Sequence, residues 1–600
     1  MLMIPAKARL DALRRQLDAA GLDGFVVPLS DEHMSEYVGG YAQRLAWLTG
    51  FLGSAGTAVV LKDKAAIFVD GRYTLQVRDQ VDGRLYAYES VPQTSPAKWV
   101  AANAPEGARI GYDAWLHGKR WADTAAATLA EKGAALVPVE ANPIDAIWPD
   151  RPAPSAAPAF ALGAEFAGQD SAAKRAAVAA WLADRRADSV VVAALDSVAW
   201  LFNLRGSDVE RTPVTLAFAL VHADGSADLF IGPEKVTAEL ERHLGPEVRL
   251  RPRDSFADAL HALSGKTVAV DPERSVAAIF AALAAGGAKI VEATDPTVLP
   301  KAVKNPVEIA GHRAAQARDG AAMVRFLHWL SAEAPRGTLS EMAAADRLHA
   351  FRAESGKLVD LSFDTISGAG PNGAVVHYRV SEDTNRRLEP GSVYLVDSGG
   401  QYADGTTDIT RTCWIGPDEP GAEVRDRFTR VLKGHIALAR ATFPAGTLGS
   451  QLDTLARQFL WHAGLDFAHG TGHGVGSFLS VHEGPQRIAR NTGTAEQALL
   501  PGMIVSNEPG YYKAGEYGIR IENLVLVEER ALEGAEDAFL GFETLTLVPI
   551  ERRLLSPAIL EPGEIAWWNA YHARVLQTIG PLVEGEALTW LEEQCAPLPL

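Results

Sequence analysis

The stretch that decides the fold is Val393–Trp414, VYLVDSGGQYADGTTDITRTCW. Two runs rich in β-branched and aromatic residues flank a glycine-rich turn, and this pattern predicts a β-hairpin. Asp397 ends the first run and Asp408 lies in the second, so the hairpin lets the two carboxylates face one another. Because side chains alternate between the faces of a strand, Asp408, Thr410 and Thr412 share one face. A single Asp in such a place is usually a turn residue, so the pair gains its meaning from residues further along.

A glycine-rich run with histidines follows. His469–Gly476 reads HGTGHGVG, and His482 comes soon after in the run VHEGP. Glycine lets the backbone adopt unusual dihedral angles and approach a metal closely. The run is not the helical zinc motif of metalloproteases, because Gln486 stands where that motif needs its second histidine.

Two glutamates come later still. Glu508 follows a predicted strand, Met503–Val505, and Glu522 is expected inside an apolar strand in the run GIRIEN. A glutamate in a strand is usually solvated, but Arg520 lies on the same face two residues away, which favours a buried, paired carboxylate.

His377 lies in another run, AVVHY, that is expected to form a strand. A lone histidine in an apolar strand is usually structural. The other histidines and carboxylates give this one a possible role in the site.

Together these residues point to a metal centre. Burying four carboxylates without a counter-charge costs several kcal/mol per ion. Two divalent cations remove that cost and create a site for hydrolysis. The candidate ligands are Asp397, Asp408, His473, Glu508 and Glu522.

Composition excludes some other classes of function. The chain has 57 basic and 75 acidic residues and a formal net charge of −18, which argues against a general nucleic-acid surface. It contains no long uncharged apolar run, and its N-terminal stretch reads as an amphipathic helix with Leu10, Leu13 and Leu17 on one face, so neither a membrane span nor a signal peptide is expected. The two cysteines, Cys413 and Cys595, fit a reducing cytoplasm.

A chain of 600 residues is too long for one core, so several domains are expected. The proline-rich stretch 151–160 and the prolines between 295 and 306 indicate boundaries. We therefore expect domains at 1–153, 160–303 and 304–600, with a mixed α/β (α+β) fold.

The first two domains read as copies of one another. In each, a helix leads to a short apolar strand, Gly24–Pro28 or Ser189–Ala193, and then to the triplet Ala-Trp-Leu at residues 46–48 or 199–201. Recurrence of both the order and the triplet favours a duplication over chance. Neither copy carries a cluster of metal-ligand residues, so both are expected to support the site or control substrate entry.

The order Asp, Asp, His, Glu, Glu resembles the ligand set of the pita-bread metallopeptidase family, which includes methionine aminopeptidase, prolidase and aminopeptidase P. The additional histidines, His377, His469 and His482, with the run VHEGP at 481–485, resemble its proline-directed branch. The resemblance to the family extends to the run FETLTL at 542–547. The resemblance implies two creatinase-type α/β domains, followed by a pita-bread catalytic domain with a C-terminal extension.

By this resemblance, Asp397 holds one of two divalent ions. Asp408 and Glu522 bridge both ions, and His473 and Glu508 hold the second. A bridging water or hydroxide is the implied nucleophile, and Glu508 is also the implied general base.

The resemblance also assigns residues around the metals. His377 and His482 are expected to orient substrate and stabilise the tetrahedral intermediate, and His469 to line the pocket. Tyr512 is expected to contact the proline ring, and Arg520 to hold the ligand carboxylates.

The implied reaction removes the N-terminal residue from peptides with proline in the second position, in the cytoplasm and in a homodimer. An oxygen-rich ligand set favours manganese, with zinc and cobalt as alternatives. Prolidase, which is restricted to dipeptides, shares the ligands and is the main alternative. A non-catalytic binding protein of the same fold is the other, although such relatives lose ligand residues and this chain keeps all five.

Overall fold

The computed structural model describes residues 4–490 and 496–599. The strands of the N-terminal half are β1 (Gly24–Pro28), β2 (Thr57–Leu61), β3 (Ala65–Val69), β4 (Ala87–Ser90), β5 (Arg109–Tyr112), β6 (Ala135–Pro138), β7 (Phe160–Ala161), β8 (Ser189–Val192), β9 (Leu204–Arg205), β10 (Ala217–His222), β11 (Ala227–Ile231), β12 (Val248–Arg251), β13 (Thr267–Val270) and β14 (Lys289–Glu292). The helices are α1 (Ala6–Ala19), α2 (Arg44–Thr49), α3 (Gln76–Gln80), α4 (Pro96–Asn103), α5 (Lys119–Ala130), α6 (Ala164–Ala167), α7 (Ser171–Arg185), α8 (Leu195–Leu201), α9 (Ala238–Leu244), α10 (Phe256–His261) and α11 (Ala277–Ala285).

Two six-stranded sheets in this half share one topology. Their orders are β4-β3-β2-β1-β5-β6 and β12-β11-β10-β8-β13-β14. In each, the second, third and fourth strands of this order pair antiparallel, and the remaining neighbours pair parallel. The Ala-Trp-Leu triplets occupy equivalent helices, α2 and α8. This is the arrangement expected of two copies of one unit.

The helices of the C-terminal half are α12 (Val298–Ala302), α13 (Pro306–Glu333), α14 (Glu341–Ala353), α15 (Ala422–Ala439), α16 (Gly449–Trp461), α17 (Pro562–Ile579) and α18 (Gly585–Gln594). Its strands are β15 (Asp360–Leu361), β16 (Ile366–Ala369), β17 (Ser392–Ser398), β18 (Gly400–Tyr402), β19 (Gly405–Thr406), β20 (Ile409–Ile415), β21 (Phe443–Pro444), β22 (Gly472–Gly474), β23 (Glu483–Ile488), β24 (Ile504–Asn507), β25 (Gly510–Lys513), β26 (Tyr517–Arg520), β27 (Asn523–Arg530) and β28 (Phe539–Thr544).

Two sheets of this half carry the candidate ligands. One has the order β16-β17-β20 and the other β21-β28-β27-β24-β22-β23. The long helix α13 begins at Pro306, which occupies its first turn, and Asn305 and Glu308 form a reciprocal capping box. Helices and strands are mixed in both halves, so the predicted α/β (α+β) class is confirmed.

The fold divides into two compact units. One contains the residues up to Ala164 together with Gln169–Val298, and the other contains Glu165–Gly168 and the residues from Leu299 onward. In the described part of the chain, none of the helices is long and apolar enough to cross a membrane. Cys413 and Cys595 are both buried and free.

Two local predictions were wrong. The run Ala374–Tyr378 is not a strand: Gly370–Ala374 forms a 3-10 helix, with Gly370 at φ +52°, and His377 lies in the irregular segment after it. Glu522 is not inside a strand but in the two-residue gap between β26 and β27. In both places the chain must turn, and hydrophobic content alone does not reveal a turn.

Candidate metal centre

The predicted hairpin brings the two aspartates together. Its strands β17 and β20 pair antiparallel with Asp397 opposite Thr410. Asp408 stands immediately before β20 and two residues from Thr410, so it shares the face that Asp397 occupies. Both aspartates are buried, with 7% and 3% of their surface exposed.

Arg520 and Thr410 connect this hairpin to the later glutamate. Arg520 donates from Nη2 to Asp397 Oδ2 at 2.6 Å and from Nε to Thr410 Oγ1 at 3.1 Å. Thr410 in turn donates to Glu522 Oε2 at 2.7 Å. The break between β26 and β27 therefore turns Glu522 towards the hairpin, and one buried guanidinium supports two carboxylates.

His473 and Glu508 approach from the other sheet, where His473 is in β22 and Glu508 follows β24. His473 donates from Nδ1 to the carbonyl of Gly474 at 2.9 Å, since a carbonyl only accepts. Its Nε2 then lies 3.4 Å from Asp408 Oδ2 and 3.5 Å from Glu508 Oε1. Ser506 fixes the same Glu508 oxygen by donating to it at 3.0 Å.

These residues fit a bound cation. Ligand atoms of Asp408, His473 and Glu522 lie within 4.8 Å of one another. One oxygen each of Asp397, Asp408 and Glu522 is buried without a hydrogen-bond partner among the described residues. Buried polar atoms are normally paired, so three orphaned carboxylate oxygens in one place indicate that a cation belongs there.

The protonation of the metal-free cluster leads to the same conclusion. Burial raises the pKa of Asp397 to about 7, although Arg520 opposes the shift. Burial and neighbouring carboxylates raise the pKa of Glu508, and raise that of Glu522 further. Burial lowers the pKa of His473, but Asp408 and Glu508 outweigh it and raise this pKa to about 9. Without a cation the cluster therefore holds protons that a metal would displace.

The other predicted histidines surround this cluster. The ring of His482 lies edge-on to that of His473 with centroids 4.4 Å apart, and His377 stacks towards His482 at 6.4 Å. A cavity of about 310 Å³ is lined by His473, His482 and the chain from Glu483 to Arg487. His482 is thus placed beside a candidate ligand and next to open space, and His377 lies beside His482.

Tyr512 and His469 form a relay that ends at Arg520. His469 donates from Nδ1 to the carbonyl of Gly470, so in the neutral ring its Nε2 accepts from the Tyr512 hydroxyl at 2.7 Å. Arg520 donates from Nη1 to the same hydroxyl at 2.6 Å. Burial raises the pKa of Tyr512, so this phenol stays protonated at neutral pH.

Sequence reasoning missed a supporting layer on α16. Asp453 accepts from Thr471 at 2.6 Å and from Arg457, which also donates to the carbonyls of Phe467 and His469 at 2.7 Å each. Along the sequence this pair looks like an ordinary helical i,i+4 ion pair. What sets this pair apart is its burial, and the sequence does not show that burial.

The glycines of the histidine loop have a different purpose from the one expected. Gly472 and Gly474 do not adopt positive φ. A Cβ on Gly472 would lie 2.0 Å from the carbonyl oxygen of Ser506, and one on Gly474 would lie 2.2 Å from that of Glu483. Glycine is therefore needed for close packing between neighbouring strands, which sets the position of His473.

Comparison with known families covers most of the chain. Residues 9–147 and 150–308 match two models of the creatinase/prolidase N-terminal domain. Residues 310–529 match metallopeptidase family M24, and residues 538–598 match the C-terminal region of peptidase M24.

Individual relatives are similar over nearly the whole length. A probable Xaa-Pro aminopeptidase P of Neosartorya fischeri is 40% identical, over 98% of this chain and 92% of the relative. One of Tuber melanosporum is 39% identical, over 99% and 100%. The crystal structure of X-prolyl aminopeptidase from Caenorhabditis elegans, described as a cytosolic enzyme with a di-nuclear active site, is 34% identical with a TM-score of 0.94, over 99% of this chain and 100% of that one.

Proposed function

Since this chain belongs to metallopeptidase family M24, with two creatinase-type domains before the catalytic one, we propose that it is a metal-dependent Xaa-Pro aminopeptidase. It removes the N-terminal residue from peptides whose second residue is proline. The observation that carries the proposal is the cluster of Asp408, His473 and Glu522, whose ligand atoms lie within 4.8 Å of one another and whose acids include orphaned oxygens. The full-length similarity to Xaa-Pro aminopeptidases supports the choice of substrate.

Two divalent ions fit the ligand set. Asp397 would help to hold one ion and His473 and Glu508 the other, and Asp408 and Glu522 would contribute to the site of both. When bound, such ions lower the pKa of water and polarise the scissile carbonyl. Carboxylates outnumber imidazoles, and this hard, oxygen-rich set favours manganese over zinc or cobalt.

The chain's own residues supply the proton transfer and the orientation. Glu508 is the proposed general base, and Ser506 holds one of its oxygens in place at 3.0 Å. His482 and His377 lie beside the ligands, where they donate to the oxygen that becomes negative as the peptide carbonyl is attacked. Arg520 keeps Asp397 aligned without contacting substrate.

Specificity for proline follows from what proline lacks. Its nitrogen carries no N–H and its ring fixes φ, so a site cannot hold it by a backbone hydrogen bond. The rings of His469 and Tyr512 pack edge to face with centroids 5.3 Å apart, and Arg520 connects the Tyr512 hydroxyl to Asp397. We assign these two rings to the pocket that receives the proline ring.

The test is an assay of the metal-depleted enzyme after addition of manganese, zinc or cobalt. Hydrolysis of Arg-Pro-Pro and other Xaa-Pro-Xaa peptides, with Xaa-Ala-Xaa peptides left intact, is the expected result. Equal cleavage of both series would overturn the proline-directed proposal. Cleavage of Xaa-Pro dipeptides alone would establish prolidase, and a lack of both bound metal and activity would establish a binding protein.

Location and domain limits are further parts of the proposal. Location in the cytoplasm is supported by two buried, free cysteines and by the cytosolic relative from C. elegans. Domain limits of 1–153, 160–303 and 304–600 are supported by separate sheets at 24–138 and 189–292, although the segment 299–303 belongs to the same compact unit as the catalytic domain. The homodimer stays a prediction, which sedimentation or light scattering would test.

A further inference from the structure

A second group of buried charges lies in the catalytic unit beside His482. Lys301 Nζ lies 2.9 Å from Glu483 Oε2, and Lys304 Nζ lies 2.5 Å from Glu483 Oε1. The three side chains are 1%, 1% and 0% exposed. Lys304 also donates to the carbonyl of Lys301 at 2.8 Å, which ties the two lysines to one another.

Stability alone does not explain this group. Taking three charges out of water is costly, and well-packed apolar residues of similar volume often stabilise a protein as well or better. Buried ionic groups are better explained where they fix a geometry that apolar contacts would leave loose. The question is therefore which geometry depends on Glu483.

Glu483 is joined to both histidine-bearing segments. It directly follows His482 and begins β23, where it pairs with Gly474 of β22, the residue after His473. Its carboxylate also lies against the loop that follows His473: a Cβ built on Gly476 would lie 3.1 Å from Glu483 Oε2. Movement of this carboxylate would thus displace the chain on either side of the 4.4 Å contact between the rings of His473 and His482.

We propose that Lys301 and Lys304 are positioning residues, which hold Glu483 so that His482 keeps its place beside the metal ligands. The inference rests on the function proposed above. Both lysines precede residue 310, where the match to family M24 begins, yet they belong to the catalytic unit. The segment before α13 therefore helps to hold the catalytic residues in place.

The experiment replaces each lysine by methionine, which keeps the length and removes the charge. In Lys301→Met or Lys304→Met, kcat on an Xaa-Pro-Xaa peptide is expected to fall about 10–100-fold, since small displacements of catalytic groups and loss of outer supports have effects of this size. Metal stoichiometry stays that of the wild type, because the carboxylate that both lysines hold, that of Glu483, is not one of the proposed ligands.

Lys433→Met is the matched control. Lys433 pairs with Glu564 at 2.6 Å, and the two side chains are 9% and 8% exposed. Its hydrogen-bond partners, Glu564 and the Ile559 carbonyl, lie on or before α17 and not in the metal centre. Its removal should lower Tm as the other two do and leave kcat at the wild-type value.

Combination with His482→Ala separates positioning from general stability. If the lysines act through His482, Lys301→Met causes little further loss of kcat once His482 is alanine. Full additivity in this background would overturn the proposal, as would a wild-type kcat in folded Lys301→Met. Should Lys301→Met fail to fold, Lys301→Arg keeps the buried charge but displaces it, and a wild-type kcat there would overturn it too.

Failure of the proposed function gives a different result. A wild-type enzyme that does not cleave Xaa-Pro-Xaa peptides after metal addition refutes the function. An active wild type whose lysine variants match Lys433→Met in kcat refutes only the positioning role.

Discussion

The carboxylates around Asp408 and the ion pair of Asp319 with Arg352 are buried in the same unit, yet their charges are balanced in different ways. Arg352 donates to Asp319 through Nε at 2.7 Å and through Nη2 at 3.0 Å, and Tyr402 adds a third hydrogen bond at 2.7 Å. Both Asp319 oxygens are thus satisfied by the protein. In the cluster around Asp408, three oxygens have no protein partner in the described chain.

The difference teaches how to separate a structural charge from a functional one. Burial is nearly complete in both regions, so burial alone does not distinguish them. What differs is whether the fold itself supplies the opposite charge. In the cluster around Asp408, carboxylate oxygens stay unpaired and burial raises the pKa values of Asp397 and Glu522. The positive charge that the fold does not supply there is expected from a bound cation.

The largest expected effect comes from Asp408→Asn. This change removes a proposed bridging oxygen, so activity should fall by well over the roughly 100-fold that loss of an outer support causes, with metal content below two ions per chain. The Tm of the metal-free enzyme should change little, because Asp408 repels Asp397 and Glu522 but attracts His473. Activity assays, elemental analysis and thermal melts measure the three quantities.

Asp319→Asn should produce the reverse pattern. Arg352 would be left buried without its carboxylate, at a cost of about 3–5 kcal/mol in the free energy of unfolding. Turnover per folded molecule should stay near that of the wild type, since Asp319 is hydrogen-bonded to Arg352 and Tyr402, neither of which is a proposed ligand. Urea unfolding followed by an assay of the folded fraction tests this, and a selective loss of turnover would erase the distinction between the two regions.

The pH dependence of stability provides a third contrast. In the metal-free enzyme, the pKa of Asp397 is raised to about 7 and that of His473 to about 9. A group whose pKa is raised on folding contributes stability that is present below its unfolded pKa and is lost as pH rises through the folded pKa. For these two groups the loss runs from about pH 4 to about pH 9.

Tm of the chelator-treated enzyme should therefore fall between pH 7 and pH 9. Below about pH 7 an opposite trend is added, because buried histidines outside the cluster, such as His312 and His435, have lowered pKa values and gain protons when the chain unfolds. Added manganese should raise Tm most at the alkaline end, because metal binding displaces the protons that the cluster holds. A Tm that is constant or rises between pH 7 and pH 9 in the absence of metal would contradict the cluster's proposed electrostatics.

Much of the hairpin was predictable from sequence because its signals are local. Alternation in β20 placed Asp408 and Thr410 on one face, and the glycine-rich turn required the chain to reverse. The repeated Ala-Trp-Leu triplet likewise anticipated two sheets of one topology. These inferences depend on the alternation of side chains between the two faces of a strand, or on a sequence pattern that occurs twice in the chain.

The remaining features depend on tertiary contacts. Nothing in the sequence distinguishes Lys301 and Lys304 from other lysines, and only the fold places them on Glu483 with almost no exposure. His377 was assigned to a strand because valines precede it, whereas Pro371 and the left-handed Gly370 begin a 3-10 helix. The glycines of the histidine loop were interpreted through backbone freedom, but the backbones of neighbouring strands exclude a Cβ there.

The smallest expected effect concerns Tyr512, whose hydroxyl is held by the same Arg520 that holds Asp397. The Nη1 of Arg520 donates to the Tyr512 hydroxyl, which in turn donates to His469. Tyr512→Phe keeps the ring but removes both of these hydrogen bonds, at a cost of about 1–2 kcal/mol, so kcat/KM on Xaa-Pro-Xaa peptides should fall about 5–30-fold. Tyr511→Phe, on the neighbouring and partly buried ring of β25, is the control and should leave kcat/KM unchanged. A loss as large as that of Asp408→Asn would mean that the hydroxyl itself takes part in the chemistry. Tyr512 would then belong with the residues that act in the metal centre, and not with the side chains that only hold them in place.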